Sequence, residues 1–567
     1  MIGRAHHPVM TIPVSIADRL AALTPDQRAA ATAPPGPTLC IAPAGSGKTT
    51  TLVARIAWLV AEGADPTTIA AITFNARAAD ELSIRLSEAL GSGAGVRVRT
   101  FHALGREILA AAGESVDPLV ERTAILRRIA PDVGPDGWRR LDDAFSRLKL
   151  DLQVTADDIR ADPEPGAVGR AFVAYEEAVA ATGGLDFDDL VARALRLLRR
   201  DAAARDRWRA SCADLLVDEV QDVDRSQLEL ALLLAAPAQR IFLVGDDDQS
   251  IYGWRLAEVR RVIGLGDTLP GLRRFDLTTN FRCPAAVVDR AVRLVAHNRE
   301  RFPKEVRART GATGRLILAP DGSDDAVRIA GIVDSWPDDD SSRAILSRTN
   351  RELLPALAVA LDRKIPFRAP ALRTALDEPE LDAILDGLLE TDERTPLLIR
   401  LETRRRAAAE AADAADPSVL EAPIVRDLLA AAAPYRDART FVAAVRERRS
   451  LLLALRRDDA RLTLATAHGT KGLEFDHVAV VGMERGRFPS ARAIAAAAEP
   501  ERALEEERRL AYVAWTRARR SLTISYDPAA PSPFLDEAFD ELPRGLPISS
   551  PGPPPSRPRP TRSARGA

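Results

Sequence analysis

Residues 39–50, Leu-Cys-Ile-Ala-Pro-Ala-Gly-Ser-Gly-Lys-Thr-Thr, decide how the rest of the chain is read. Leu39 to Ile41 make a short buried strand, Ala42 to Gly47 a loop of small residues, and Lys48-Thr49 a helix start. Strand, glycine-bearing loop and helix in that order form a phosphate-binding P-loop. Gly45 and Gly47 let the backbone curl so that its N–H groups face an anion. The helix N-terminus adds a partial positive charge at the same place. Lys48 is spaced to reach β- and γ-phosphates, and Thr49 to offer its hydroxyl to Mg²⁺. Ala42 stands where the strict pattern has glycine.

Upstream, Leu23-Thr24-Pro25-Asp26-Gln27 reads as a helix start, with Thr24 as N-cap and Pro25 in the first turn. A glutamine at this distance from a P-loop can read an adenine edge; from the residues alone, a solvated helix glutamine is the simpler account. Downstream, 70–75 is a small-apolar strand running into a polar turn and a helix, and 96–102 repeats that logic, ending in Thr100-Phe101-His102. Parallel sheets place ligands at such strand ends, so Phe74 and Phe101 are either stacking platforms or core. Residues 106–185 are mainly helical and interrupt the alternation. Residues 213–219 then form an apolar strand ending in Asp218-Glu219. A P-loop ATPase needs adjacent carboxylates there, one for the Mg²⁺ shell and one to orient or deprotonate water. The next strand, 241–245, runs into Asp246-Asp247-Asp248-Gln249.

The 567 residues allow several domains. A net charge of −3 excludes a global basic field, so nucleic-acid binding would require a local groove. Cys40, Cys212 and Cys283 lie far apart, against a zinc, iron–sulfur or disulfide framework. No apolar run approaches the ~18 residues of a membrane span, and no signal peptide is evident; the expected location is cytoplasmic. Of 79 basic residues only five are lysine, at 48, 149, 304, 364 and 471. A surviving lysine therefore hints at a site that wants a compact ammonium. That fits Lys48, while chance is the better account of Lys364.

With these residues in place, the chain resembles the UvrD/Rep/PcrA group of superfamily 1 DNA helicases, in order along most of its length. LTPDQ (23–27) resembles their Q motif, APAGSGKT (42–49) Walker A, ITFNARAADEL (72–82) motif Ia and VRTFHAL (98–104) motif Ib. LDFDDL (185–190) resembles motif Ic, LLVDEVQD (215–222) motif II and VGDDDQSIYGWR (244–255) motif III. LTTNFRCP (277–284), AILSRTN (344–350), LATAHGTKGLEF (464–475) and EEERRLAYVAWTRAR (505–519) resemble motifs IV, IVa, V and VI.

The resemblance implies an α/β chain of two RecA-like P-loop NTPase domains, each a parallel sheet flanked by helices. ATP lies between them and single-stranded DNA across their tops. After a leader (1–22), the first motor domain would comprise 23–105 and 189–275, with a helical subdomain at 106–188. The second would comprise 276–390 and 461–540, with a reduced helical 2B insertion at 391–460 and a disordered Pro/Arg-rich tail at 541–567. It implies nucleotide contacts from Gln27, the loop Ala42, Pro43, Ala44, Gly45, Ser46, Gly47, Lys48, Thr49 and Thr50, and from Phe281, Arg282, Glu474 and Arg517. Lys48, Glu219, Gln249, Arg282 and Arg517 would be catalytic, and Thr49 and Asp218 would hold Mg²⁺. The DNA track would be Phe74, Thr100, Phe101, His102, Phe187, Tyr252, Trp254, Arg255, Arg348 and His468, independent of base sequence.

Thr50 stands where relatives often carry Arg, Ala76-Arg77 replaces Asn-Lys, and Phe281 replaces Tyr. Only 70 residues separate Glu390 from Arg461, where relatives insert a longer domain. The expected activity is ATP-dependent 3′→5′ helicase or translocase action on single strands and single/double-strand junctions, in repair or recombination, with nucleoid association when on DNA. The short insertion motivates the alternative of a translocase that unwinds only with a partner, docked through 391–460 or the tail.

Overall fold

The computed structural model describes residues 14–91, 95–390, 394–413 and 421–543. Two six-stranded parallel sheets dominate it. The first has the order β3-β2-β4-β5-β1-β6: β1 Thr38–Ile41, β2 Ile69–Thr73, β3 Arg97–Thr100, β4 Asp214–Val217, β5 Ile241–Gly245 and β6 Arg273–Asp276. A two-stranded ribbon, β7 Thr279–Asn280 with β8 Arg307–Ala308, leads to the second sheet. There the order is β11-β12-β10-β13-β14-β9: β9 Arg315–Pro320, β10 Arg343–Ser347, β11 Phe367–Arg368, β12 Leu462–Thr466, β13 Phe475–Val480 and β14 Ala518–Tyr526.

Both sheets are covered on both faces, which is why their strands read as near-continuous apolar runs. The two-residue period still sorts each strand. Leu39, Ile41, Ala70, Ile72, Leu215, Val217 and Leu243 enter one core, and Cys40, Ala71, Leu216, Phe242 and Val244 the other. In the second sheet Leu346, Val478, Val480, Leu522 and Ile524 face one core, and Ile345, Leu464, Ala479 and Val481 its opposite.

Residues 14–21, expected to belong to a leader of uncertain order, form a helix whose Ile16 and Leu20 pack with Ala54 and Ala57 of the P-loop helix. The first inserted subdomain has its own core of Ile125, Leu126, Phe145, Phe172, Tyr175 and Val179. The second insertion is a small helical unit, whose core joins Leu381, Ile384, Leu385 and Leu388 to Leu397, Leu401, Val425, Leu428, Phe441 and Val442. It thus begins ten residues before the expected 391, because the helix Leu381–Glu390 belongs to it. The proposed tail from 544 onward lies outside the described residues. No described helix is long and apolar enough to cross a membrane.

A charged hub ties the first insertion to the sheet. The Lys149 ammonium lies 2.7 Å from Glu176, 2.8 Å from Asp186 and 3.0 Å from Asp189, and Arg122 adds ion pairs at 2.7 Å to Asp186 and Asp188. The acidic triad Glu176, Asp186 and Asp189 is therefore filled by an ammonium and needs no metal ion. Removing one partner of a buried network leaves the others uncompensated, so Lys149→Met should cost about 3–5 kcal/mol of stability. The check is the thermal unfolding midpoint, which should fall well below that of the parent protein.

Candidate functional site

The P-loop leaves β1 and enters the helix Lys48–Ala61 through Gly47, which occupies the N-cap position and provides no side-chain cap. The first N–H groups of that helix are therefore free to meet an anion. Glycine is required at two points. Gly45 has φ +69°, and a Cβ there would lie 2.8 Å from Cβ of Arg282. Gly47 has φ +83°, and its Cβ would lie 2.5 Å from Nε2 of Gln27. The loop is braced from outside. Asp246 Oδ2 accepts from the Ala44 N–H (3.0 Å), Asn280 Nδ2 donates to Ala44 O (2.7 Å), and the Phe281 N–H donates to Gly45 O (2.8 Å).

Gln27 is buried rather than solvated. Its Oε1 accepts from the Thr24 N–H (3.1 Å) and its Nε2 donates to Ser46 O (2.8 Å). In this state it clamps the P-loop, and an adenine edge would have to compete for the same amide. Ala42, Pro43 and Ala44 are buried, and Thr50 is exposed on the helix.

Asp218 and Glu219 sit at the end of β4 beside Lys48. Lys48 Nζ lies 2.9 Å from Glu219 Oε2, and Gln221 Nε2 donates to the same oxygen at 2.5 Å. Burial works to raise Glu219, but Lys48 and Lys471 together hold it well below the usual carboxylate range, so it is ionised. Asp218 has no ion-pair partner among the described residues; burial and its neighbour Glu219 push it upward. A buried carboxyl without a paired cation suits a hard divalent ion. Glu219, at φ +53°, is held out of the strand direction by the turn that follows.

The second domain supplies two guanidinium groups to this cleft. Arg282 Nε pairs with Glu474 (2.7 Å), and Glu474 also meets Arg519 (3.2 Å). Arg517 is 1 % exposed and has no carboxylate partner among the described residues. It donates to Val513 O (2.8 Å), Leu473 O (3.2 Å) and Gln249 Oε1 (3.1 Å). Burial and the nearby Arg282 lower it to about 9. A buried guanidinium facing another cation is destabilised until an anion arrives. Gln249 spans the cleft, its Nε2 donating to Asp246 Oδ2 at 2.7 Å. Phe281, 40 % exposed, stands beside the loop. Glu474, expected at the nucleotide sugar, is here occupied by Arg282 and Arg519.

A second, aromatic surface follows the ends of β2, β3 and β5. Phe74 stacks on Tyr252 (centroids 5.1 Å, 16°), and Tyr252 meets Trp254 edge-on at 6.2 Å. Arg255 lies over Trp254 at 4.6 Å. His102 stacks on Phe187 at 3.8 Å, and Phe187 is presented as the first residue of a helix capped by Asp186. Trp254 and Phe187 are 58 % and 56 % exposed, a large cost for core residues and a natural platform for bases.

Three expected track residues take other roles. Phe101 is 3 % exposed and packs in the first core, so it is a core residue and not a stacking platform. Arg348 is closed on Glu507 in a two-pronged ion pair at 2.6–2.9 Å that engages its Nε and Nη2 edge. The Thr100 hydroxyl caps the next helix by accepting from the Ala103 N–H (3.2 Å). Burial lowers both His102 and His468 to about 4, so each is neutral and offers a ring and a hydrogen bond rather than charge. Sequence reasoning missed Asn280, Asp246 and Lys471. Lys471 reaches across the cleft to Asp222 and to Gln249 O (2.5 Å), with its ammonium over the Tyr252 ring at 5.2 Å. Its rarity as a lysine was the one available signal.

Residues 23–269 match the UvrD/REP helicase N-terminal domain and residues 435–528 the UvrD-like helicase C-terminal domain. The chain is 29% identical to ATP-dependent DNA helicase Rep of Salmonella typhimurium, over 89% of this chain and 90% of that protein. It is 28% identical to DNA helicase II of Escherichia coli (89% and 84%) and 27% to ATP-dependent DNA helicase PcrA of Leuconostoc citreum (89% and 80%). The Rep alignment runs over 615 positions but uses only about 89% of 567 residues here, so roughly 110 positions have no counterpart in this chain.

Trp254→Ala should weaken the stimulation of ATP hydrolysis by single-stranded DNA while sparing basal turnover, by about 1–3 kcal/mol of stacking. Hydrolysis titrated with oligodeoxythymidylate checks this. Equal loss of basal turnover would return Trp254 to a packing role.

Proposed function

The chain belongs to the UvrD/Rep family of ATP-dependent DNA helicases, and on that premise we propose that it moves 3′→5′ along single-stranded DNA, driven by MgATP bound between its two parallel-sheet domains. The observation that carries this reading is the convergence of Lys48 and Glu219 from the first domain with Arg282 and Arg517 from the second. The first domain would bind the triphosphate through the uncapped helix N-terminus and Lys48, with Thr49 and Asp218 holding Mg²⁺. Glu219, ionised, would orient the attacking water and accept its proton. Arg282 and Arg517 would meet the charge that spreads over the γ-phosphoryl oxygens. Phosphate arrival would relieve the repulsion between these arginines and draw the domains together. Departure of the cleaved phosphate would restore the repulsion and let them part.

The DNA would lie on Phe74, Tyr252, Trp254, His102 and Phe187. Tyr252 and Trp254 follow Gln249 by only a few residues, so one short segment touches both the phosphate side and the base side. Stacking reads any base, which suits sequence-independent binding at single strands and junctions.

A second reading is supported by the roughly 110 missing positions and the compact helical unit around Leu381–Leu455. With only 70 residues between Glu390 and Arg461, translocation without autonomous strand separation is the alternative. A partner would then dock on that unit or on the tail.

Glu219→Gln should retain ATP binding and lose hydrolysis by at least about 10²-fold, read by single-turnover phosphate release; wild-type turnover would remove Glu219 from the catalytic set. Strand displacement at limiting protein should occur from a 3′-tailed duplex and not from a 5′-tailed one. Brisk hydrolysis without displacement from either would select the partner-dependent translocase.

A further inference from the structure

Between the helix Ala285–Val295 and β8, the chain leaves the second domain to dock on the first before returning. Val287, Ala291 and Leu294 pack in the second domain's core. The N–H groups of Arg299 and Glu300 donate to Glu505 of that domain at 2.9 and 3.2 Å. Two residues later Phe302 is buried in the first domain's core, under the Arg274 guanidinium at 4.5 Å. Residues 299–304 are therefore a strap fixed at one end to each domain.

The strap ends on Lys304, whose side chain is wholly buried among three consecutive aspartates. Its ammonium lies 3.2 Å from Asp246 and 2.8 Å from Asp248, and also touches Asp247. Arg301 adds a two-pronged pair with Asp248 (3.0 and 2.8 Å), and the Phe302 N–H donates to Asp247 (2.8 Å). Asp246 is the member that faces the nucleotide cleft. Its Oδ1 takes Lys304 and the Asp248 N–H, while its Oδ2 takes both the Ala44 N–H of the P-loop and Nε2 of Gln249. With its amide nitrogen committed to Asp246, Gln249 must turn its oxygen to Arg517. One ammonium thus supports an ordered series: Lys304, Asp246, Gln249, Arg517.

We propose that Lys304 is a positioning residue for ATP hydrolysis, holding Asp246 so that Gln249 and the P-loop keep their cleft geometry, and tying that geometry to the strap between the domains. This rests on the ATPase reading above. Without the ammonium, three buried carboxylates share only Arg301, and Asp246 would turn away from its neighbours. Gln249 would then lose the acceptor that orients it.

The test compares Lys304→Met, Asp246→Asn and Asp247→Asn in the full chain, by steady-state hydrolysis with oligodeoxythymidylate, fluorescent-nucleotide binding and thermal melting. Asp246→Asn places an amide donor against the Gln249 and Ala44 donors, whereas Asp247 touches Lys304 and the strap but not Gln249. Lys304→Met and Asp246→Asn should each lower kcat by about tenfold or more with KM for ATP within about threefold. Asp247→Asn should melt earlier yet keep kcat within about twofold. Equal kcat losses for Asp246→Asn and Asp247→Asn, or wild-type kcat for Lys304→Met, would overturn the proposal. Should Lys304→Met fail to fold, the two asparagine variants decide it alone. A parent protein with no DNA-stimulated hydrolysis would overturn the ATPase reading and this proposal together; a hydrolysing parent with equal losses overturns only the role of Lys304.

Discussion

The contact on which the molecule's geometry depends is the docking of Asn280-Phe281-Arg282 on the P-loop. Two hydrogen bonds, from the Asn280 amide to Ala44 O and from the Phe281 N–H to Gly45 O, bring the second domain's leading segment against the phosphate cradle. Gly45 permits that approach, since any side chain would meet Arg282. With the loop carbonyls engaged outside, its uncapped N–H groups are left for an anion within. The first domain's Ala44 and Ile251 even belong to the second domain's core, so the cleft is the seam of one continuous packing unit.

The charges along this seam are unevenly paired. Glu219 is balanced by Lys48, and Asp222 by Lys471, but Arg517 is buried with only neutral acceptors. Low dielectric makes such an imbalance costly, and it strengthens the attraction of an arriving polyanion. The aromatic face proposed for DNA would need no comparable charge, which would reconcile a net charge of −3 with a polyanionic strand.

The lysines show how this protein uses its rarest cation. Lys48, Lys149, Lys304 and Lys471 have side-chain exposures of 13 %, 2 %, 0 % and 8 %; Lys149 and Lys304 each meet three carboxylates, and Lys48 and Lys471 each pair with one from a distant segment. A compact ammonium can serve three acceptors from one point, where a planar guanidinium would impose its fork. Lys364, set aside as chance, sits at a helix end with φ +53° and no ion pair among the described residues. The compositional hint, which already set Lys364 aside, named a role for Lys48 alone.

Local order in the chain was enough to place the P-loop, the strands that end in Thr73, Thr100, Val217 and Gly245, and the helical character of the stretch after β3. These follow from runs of apolar residues closed by polar ends, a pattern set by backbone period and burial. Lys48, Asp218 and Glu219 were proposed from their places after such strand ends, whereas Gln249, Arg282 and Arg517 were proposed only through the resemblance of their motifs. The sequence could not tell Phe101 from Phe187, since both follow a strand or cap in the same way. Only packing decides that the first turns into the core and the second outward. Nor could it foresee that Arg348 spends its charge on Glu507, that Gln27 clamps the P-loop, or that Lys304 returns to Asp246, 58 residues earlier. Those pairings join distant segments through side-chain chemistry that no short-range period records, and the tertiary structure alone decides them.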